Sequence, residues 1–408
     1  MNAANLQISS VAAKIASRCN INCSYCYIYN KGDDSYKHQP KFMSEAIYTR
    51  LFEQIRGYCN KHRLKSFTIY LFGGEPLLAG KEYVRKFLAA AEQILMPDVA
   101  PDFLIQTNGI LFDQEWIDLF KEFGVIYGFS LDGNKEINDR NRVDFKGNGT
   151  YDQVVKAIKL LTEQGIRPGI NSVIDVDTDA LAGYQHFKDL GVGDLDYLIP
   201  DGNFYQLPKH LSNRTDHFNW TNTPYADWLI SIFDVWFHEP LPKPNIRLFK
   251  VLINLILGQD VGYDYLGTRR TELLIIETDG AIEAADDFKI CGNGFTKNEL
   301  NILKDDLEAA LNDHLIALYH TSKEQLSKQC ESCSVKNICG GWYVPSRYDK
   351  DNGFDNPTVY CPDVLKLITH VQKCVIEELN KNGVETDGVE ILDYNREAGL
   401  LEKYSCNF

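Results

Sequence analysis

Between residues 6 and 200, short apolar runs rich in β-branched and aromatic residues alternate with amphipathic stretches. The runs are "LQISSVAAKIAS" (6–17), "SFTIYLF" (66–72), "DFLIQT" (102–107), "VIYGFSL" (125–131), "PGINSVID" (168–175) and "LDYLIP" (195–200). The stretches between them, 44–60, 81–95, 113–123, 150–164 and 178–190, place apolar residues at i, i+3 and i+4. Strands that alternate with helices build a parallel sheet with helical crossovers, so about six βα units are expected. Ser44 and Thr150 stand where helix N-caps belong. The fold class is α/β. An open twisted sheet and an incomplete barrel both satisfy the pattern.

From about residue 203 the alternation stops. Residues 224–258 read as two helices flanking the proline-rich "EPLPKPN", and "LLIIETDGAIEAADDFKIC" reads as a β-hairpin turning at Asp279-Gly280. A cysteine-dense, glycine-rich knot follows at 330–361. Three regions result: 1–205, the βα region; 206–274, a linker with bridging helices; and 275–408, a smaller α+β region.

The net charge of −15 argues against sequence-blind nucleic-acid binding, which needs a basic surface, and reads as simple solubility. No apolar run approaches the roughly 20 residues of a membrane span; "WLISIFDVWF" is short and is broken by Asp234. The N-terminal stretch has no secretory pattern. A cytoplasmic protein is expected, without nucleic-acid or membrane partners. Its 11 cysteines then read as metal ligands or redox groups rather than disulfides.

Cys19, Cys23 and Cys26 lie in "SRCNINCSYCYIYN", in the loop after the first strand. A cubane iron–sulfur cluster can be held by three thiolates, which leaves one iron open. A zinc site usually wants four ligands, and only the distant His38 offers a fourth. Spacing favours a cluster and leaves zinc open. The same cysteines, with four further motifs in order, resemble the radical S-adenosylmethionine superfamily. Those motifs are "GGEP" (Gly73, Gly74, Glu75, Pro76), "QTNG" from Gln106 through Asn108, "SLDG" from Ser130, and the stretch Asn138 to Arg142. The resemblance implies a partial (β/α)6 TIM-like barrel whose site lies at the C-terminal strand ends. It implies that the open iron chelates the amino and carboxylate groups of S-adenosyl-L-methionine. One electron then releases a 5′-deoxyadenosyl radical that takes hydrogen from an unactivated C–H bond. By the same resemblance Glu75 suits the amino group and Arg142 the carboxylate. Ser130 and Leu198 match ribose and adenine contacts. Gly73, Gly74, Pro76, Gln106, Asn108 and Tyr25 complete the cofactor-binding set, and Tyr27 fits an aromatic beside the cofactor.

Cys330, Cys333, Cys339 and Cys361 have spacing that suits a zinc ribbon as well as a cluster. With the first motif upstream, they resemble the SPASM domain, which carries auxiliary iron–sulfur clusters. All four ligands of the outer auxiliary cluster are present. Two positions where the family places inner-cluster cysteines hold Ala285 and Tyr343. One radical and one auxiliary [4Fe–4S] cluster are expected, about eight irons in all. Cys59, Cys374 and Cys406 read as core or incidental thiols, and Cys291 as unligated. Asp286 is either a surface acid beside Asp287 or, by the resemblance, a base that takes a proton from substrate. "GGWYVPSRY", with Arg347, either lines the substrate site or folds the loop around the cluster.

"ETDGAIEAADDFK", the C-G-G-aromatic loop and "NGFDNPTVYC" resemble maturases of ribosomally made peptides, of the cyclophane-forming FxsB, GrrM and XYE-system groups. That implies a precursor peptide as substrate. It also implies a carbon–carbon crosslink from an aromatic ring to a nearby β-carbon, and an external electron donor of flavodoxin or ferredoxin type. Trp342 stands where a third glycine is expected and Ser346 where a histidine is usual. Eighteen residues precede Cys19, too few for a leader-binding domain. Leader recognition is therefore expected from the barrel, the 203–258 segment or a separate protein. Formylglycine formation of the sulfatase-activating kind, thioether formation, epimerisation and hydroxylation are the alternatives. A zinc-ribbon binding module is the alternative of another class.

Overall fold

A computed structural model describes residues 6–405. The apolar runs form the strands β1 (Ser10–Ala16), β2 (Ser66–Gly73), β3 (Ala100–Thr107), β4 (Ile126–Ser130), β5 (Gly169–Val173) and β6 (Asp194–Leu198). The amphipathic stretches form α1 (Glu45–His62), α2 (Lys81–Leu95), α3 (Gln114–Glu122), α5 (Tyr151–Thr162) and α6 (Ala180–Asp189); a short helix not expected from the periodicity, α4 (Lys135–Asn141), precedes α5. Ser44 caps α1, its hydroxyl accepting from the Ile47 N–H. Thr150 does not cap α5. Its hydroxyl donates instead to the Arg142 carbonyl at 2.9 Å, which ties the chain after α4 to the start of α5.

The chain divides into two compact units. The first runs to Ser172 and adds Asp189–Gly193 and Glu272–His320; the second takes Val173–Lys188, Asp194–Thr271 and the chain from Thr321. In the first unit β1 to β5 lie side by side in parallel, in the order β5-β4-β3-β2-β1. The pairings Ala16↔Gly73, Leu71↔Ile105 and Thr107↔Phe129 bring the C-terminal ends of β1 to β4 to one edge. The expected hairpin forms from β8 (Leu273–Ile276) and β9 (Ile282–Glu283). Its first strand also joins the sheet, parallel to β1, with Ser10↔Leu273 and Ala13↔Ile276. β1 is thus covered on both edges and buried from Val11 to Ala16, as an inner parallel strand is.

The second unit holds β6 beside β7 (Asn245–Ile246) and the helices α7 (Pro224–His238) and α8 (Arg247–Ile256), which flank the proline-rich turn as expected. After α9 (His314–Thr321), the cysteine knot is built on α10 (Lys328–Glu331), α11 (Lys336–Cys339) and the start of α12 (Cys361–Lys381), with α13 (Tyr394–Ser405) last. Asp363, in the first turn of α12, reaches the start of α7. Its Oδ1 accepts from the N–H groups of Tyr225 (2.8 Å) and Ala226 (3.0 Å).

Burial raises the Asp363 carboxyl from its ordinary 3.8 to about 7. Between those values the folded chain holds a proton that the unfolded chain releases, so stability falls as pH rises through the window. The slope is about 1.4 kcal/mol per pH unit at most. Asp363→Asn keeps an acceptor at Oδ1 and removes the titration. Urea unfolding at a series of pH values is expected to show a flatter profile for the variant between about pH 4 and 7. Parallel profiles would contradict this.

No helix among the described residues is long and apolar enough to cross a membrane.

Candidate active site and cluster sites

The first cysteine loop leaves β1 and folds back on the ends of β2 and β3. Gly74 N–H donates to the Ala16 carbonyl (2.9 Å) and Glu75 N–H to the Arg18 carbonyl (3.0 Å). A methyl group on Gly73 would lie 1.9 Å from the Ala16 oxygen, and one on Gly74 would lie 2.0 Å from the Tyr29 hydroxyl. Only glycine permits this approach of two backbones. Glu75 is 1% exposed. Its carboxylate accepts from Thr107 Oγ1 (2.7 Å), Asn108 N–H (2.7 Å) and Leu77 N–H (3.0 Å). It therefore clamps the "GGEP" turn to the end of β3 before any ligand arrives. Asn108 Nδ2 donates to Asn20 Oδ1 at 2.7 Å and lies 3.8 Å from Cys19 Sγ, so β3 meets the cysteine loop.

The other side of the loop docks on α4. Asn22 and Ser24 N–H groups donate to the carbonyls of Val143 and Asn141. Tyr25 Oη donates to Asp132 Oδ2 (2.7 Å) and accepts from Arg142 Nη1 (2.8 Å). The Arg142 Nε is buried and has no hydrogen-bond partner among the described residues. Gln106 Nε2 donates to Ser130 Oγ at 3.0 Å, which sets these two side by side on β3 and β4. Burial pushes the thiols of Cys19 and Cys26 up to about 12 and about 11, and Cys19 feels Glu75 as well as both other sulfurs. All three cysteines share one desolvated pocket, where binding a cation would release their protons.

A buried charge cluster occupies the same unit. Lys14, the one charged residue of β1, reaches Glu277 Oε1 and Asp286 Oδ1, both at 2.6 Å. Lys289 reaches the same two oxygens at 2.9 Å and 2.8 Å. None of the four side chains is more than 4% exposed. Burial alone would raise Glu277, but the two ammonium groups hold it at about 2. Burial opposes the charge on Lys289, yet Asp286 and Glu277 lift it well above the usual lysine range. Asp286 Oδ2 is buried and finds no hydrogen-bond partner among the described residues. Asp286 is thus no surface acid. One oxygen is anchored by two cations, and the other makes no hydrogen bond among the described residues.

In the second unit, Cys330, Cys333, Cys339 and Cys361 all line one cavity. Burial raises all four thiols. Among the described residues, the group of three or more His, Cys, Asp or Glu whose ligand atoms lie within 4.8 Å of one another is Asp234, His370 and Cys374.

The loop after Cys339 is turned inward. Gly340, Gly341 and Trp342 have φ of 59°, 76° and 60°. The glycine expected at 342 is explained by this left-handed backbone. Tryptophan adopts it at a cost of about 1 kcal/mol, and its ring, 2% exposed, packs edge-on against Tyr265 at 5.3 Å. Losing a buried aromatic costs about 3–5 kcal/mol. Trp342→Gly is therefore expected to destabilise the fold by about 2–4 kcal/mol despite the relaxed backbone. Chemical denaturation checks this, and a gain in stability would refute it.

Residues 14–178 match the Radical SAM superfamily. These residues carry a radical SAM domain, and the chain works as a radical SAM oxidoreductase. Its cofactors are S-adenosyl-L-methionine and [4Fe–4S] clusters. A cysteine-type anaerobic sulfatase-maturating enzyme of Clostridium novyi (strain NT) is 25% identical to it over 382 residues, 87% of this chain and 92% of that protein. The solved structure of native anSMEcpe with bound AdoMet and Cp18Cys peptide has a TM-score of 0.76 at 22% identity, covering 91% of this chain and 99% of that one. Streptococcus suis SuiB bound to precursor peptide SuiA has a TM-score of 0.55 at 15% identity, over 87% and 76% of the two chains. These likenesses show a shared fold, an α/β architecture with a partial barrel.

In this radical SAM enzyme the structure brings together Cys19, Cys23, Cys26, Tyr25, Gly73, Gly74, Glu75, Asn108 and Arg142. Pro76 opens the short turn after Glu75, and Gln106 and Ser130 stand at the same sheet edge. Leu198 ends β6 in the second unit, its carbonyl accepting from Ile174 N–H. Tyr27 is half-buried in the cysteine loop. Cys59 and Cys291 are buried. Cys374 lies 3.7 Å from His370, and Cys406 falls outside the described residues. Lys14, Lys289, Glu277, Tyr29 and Asp132 were not singled out from the sequence. Only Lys14 left a signal, as a lone cation inside an apolar strand.

Proposed function

We propose that this enzyme oxidises a ribosomally made peptide, most simply by joining an aromatic ring carbon to a nearby β-carbon. Cys19, Cys23 and Cys26 hold the radical cluster. The Gly73–Pro76 turn, Tyr25, Gln106, Asn108, Ser130 and Arg142 bind S-adenosyl-L-methionine. Cys330, Cys333, Cys339 and Cys361 hold the auxiliary cluster. When bound, these groups supply hydrogen-atom abstraction at the first site and an electron acceptor at the second. Asp286 takes the ring proton at Oδ2 while Lys14 and Lys289 fix Oδ1. An external flavodoxin- or ferredoxin-type protein supplies the starting electron.

The observation that carries the reading is the pairing of an open three-cysteine site and a closed four-cysteine site with a buried base. Ala285 and Tyr343 are both packed in the interior, at positions where cysteines would hold an inner cluster. The peptides in the anSMEcpe and SuiB structures support a peptide substrate. The Clostridium relative favours a second reading, formylglycine formation on a protein cysteine. Co-expression with neighbouring small open reading frames, followed by tandem mass spectrometry, separates the two. A loss of one H2 per site, with fragments missing between ring and β-carbon, is expected. A product that reacts with hydrazide as an aldehyde would replace the crosslink with formylglycine.

A further inference from the structure

Arg347 is 1% exposed, and its five N–H groups all donate to backbone carbonyls. Nε reaches Gly341 (2.8 Å), Nη1 reaches Ser322 (2.9 Å) and Gln325 (3.1 Å), and Nη2 reaches Gly340 and Trp342 (both 3.0 Å). Among the described residues no carboxylate pairs with it. Lys323, 6% exposed, points into the same loop and donates to the Trp342 carbonyl at 3.3 Å. Buried cations are ordinarily matched by an anion, because desolvation without one is costly. The sulfurs of Cys330 and Cys339 favour the charge on Arg347, whereas burial and the neighbouring guanidinium lower the Lys323 ammonium to about 7. Cys339 also feels Lys323.

From this arrangement we infer that Arg347 is the built-in counter-cation of the auxiliary cluster and sets its reduction potential. The inference rests on the assignment of the four cysteines to that cluster. One-electron reduction makes and breaks no bond and leaves the cluster one unit more negative. A fixed buried cation beside two of its four sulfurs favours the reduced form and raises the potential. The inward carbonyls at 340–342 hold the guanidinium there, which accounts for the strained left-handed run. Of the two roles open to "GGWYVPSRY", Arg347 thus serves the loop and the cluster.

The test is a dithionite titration of the full-length chain followed by electron paramagnetic resonance. Cys19→Ala, Cys23→Ala and Cys26→Ala are present together, so that the second site alone holds iron. Arg347→Met is expected to lower the midpoint potential by about 60 mV or more, a tenfold weaker reduction constant. Arg347→Lys is expected to keep most of the parent value. If Arg347→Met holds no iron, Arg347→Gln, which is also neutral but keeps an amide to donate to the loop carbonyls, is read in its place and should shift the same way. An iron-loaded neutral variant with the parent potential overturns the proposal. A parent chain without iron overturns the cluster assignment beneath it, and iron analysis tells the two failures apart.

Discussion

Cys19→Ala is expected to abolish 5′-deoxyadenosine formation from S-adenosyl-L-methionine under reductant and to remove about half of the iron. The loop that carries Cys19 is fixed on both flanks, by the "GGEP" backbone on one and by Asn141 and Val143 on the other. Removing one sulfur leaves two thiolates on a rigid loop, with Asn20 and Asn108 beside the gap. Cys361→Ala makes the complementary case. It should also remove about half of the iron but leave 5′-deoxyadenosine formation intact, because its cavity is lined wholly by residues 329–401. Anaerobic reconstitution, iron analysis and chromatography of the nucleoside read both variants. Cleavage that survives Cys19→Ala, or vanishes in Cys361→Ala with the first cluster present, would reverse the assignment of the two sites.

The alternating runs made the strands and helices legible because one-sided burial writes its period into the sequence. The 81–95 helix was bounded to the residue for that reason. Thr150 misled because a hydroxyl at an N-cap position can serve another backbone group, and here it serves Arg142. The pairing of β1 with β8 left no local trace, since Ser10 and Leu273 meet only through the folded chain. The charge cluster was hidden for the same reason: Lys14 finds its partners 263 and 272 residues away. Cysteine spacing was the most legible feature of all. Metal ligands close together in sequence need little tertiary information to be recognised. Glu75 shows what motif reading leaves out: its carboxylate also accepts from three donors of its own chain, which fix it in place.

Asp286→Asn is expected to separate radical formation from product formation. The substitution keeps an oxygen for Lys14 and Lys289 but removes the basic atom, Oδ2. Loss of a positioned base typically slows the dependent step by about 10²–10⁴-fold. Product should fall by that factor, while 5′-deoxyadenosine continues to form. The same substitution unbalances a buried set of two cations and two anions, and breaking such a pair costs about 3–5 kcal/mol. A fall in stability alone would also lower product, so a second variant is needed. Lys289→Met disturbs the same charge set and leaves Asp286 anchored by Lys14. If Asp286 is the base, Lys289→Met is expected to lose stability to a similar extent but to keep far more product per 5′-deoxyadenosine formed. Equal product ratios in the two variants would reduce Asp286 to a structural ion-pair partner. The partnerless Oδ2 would then need another explanation.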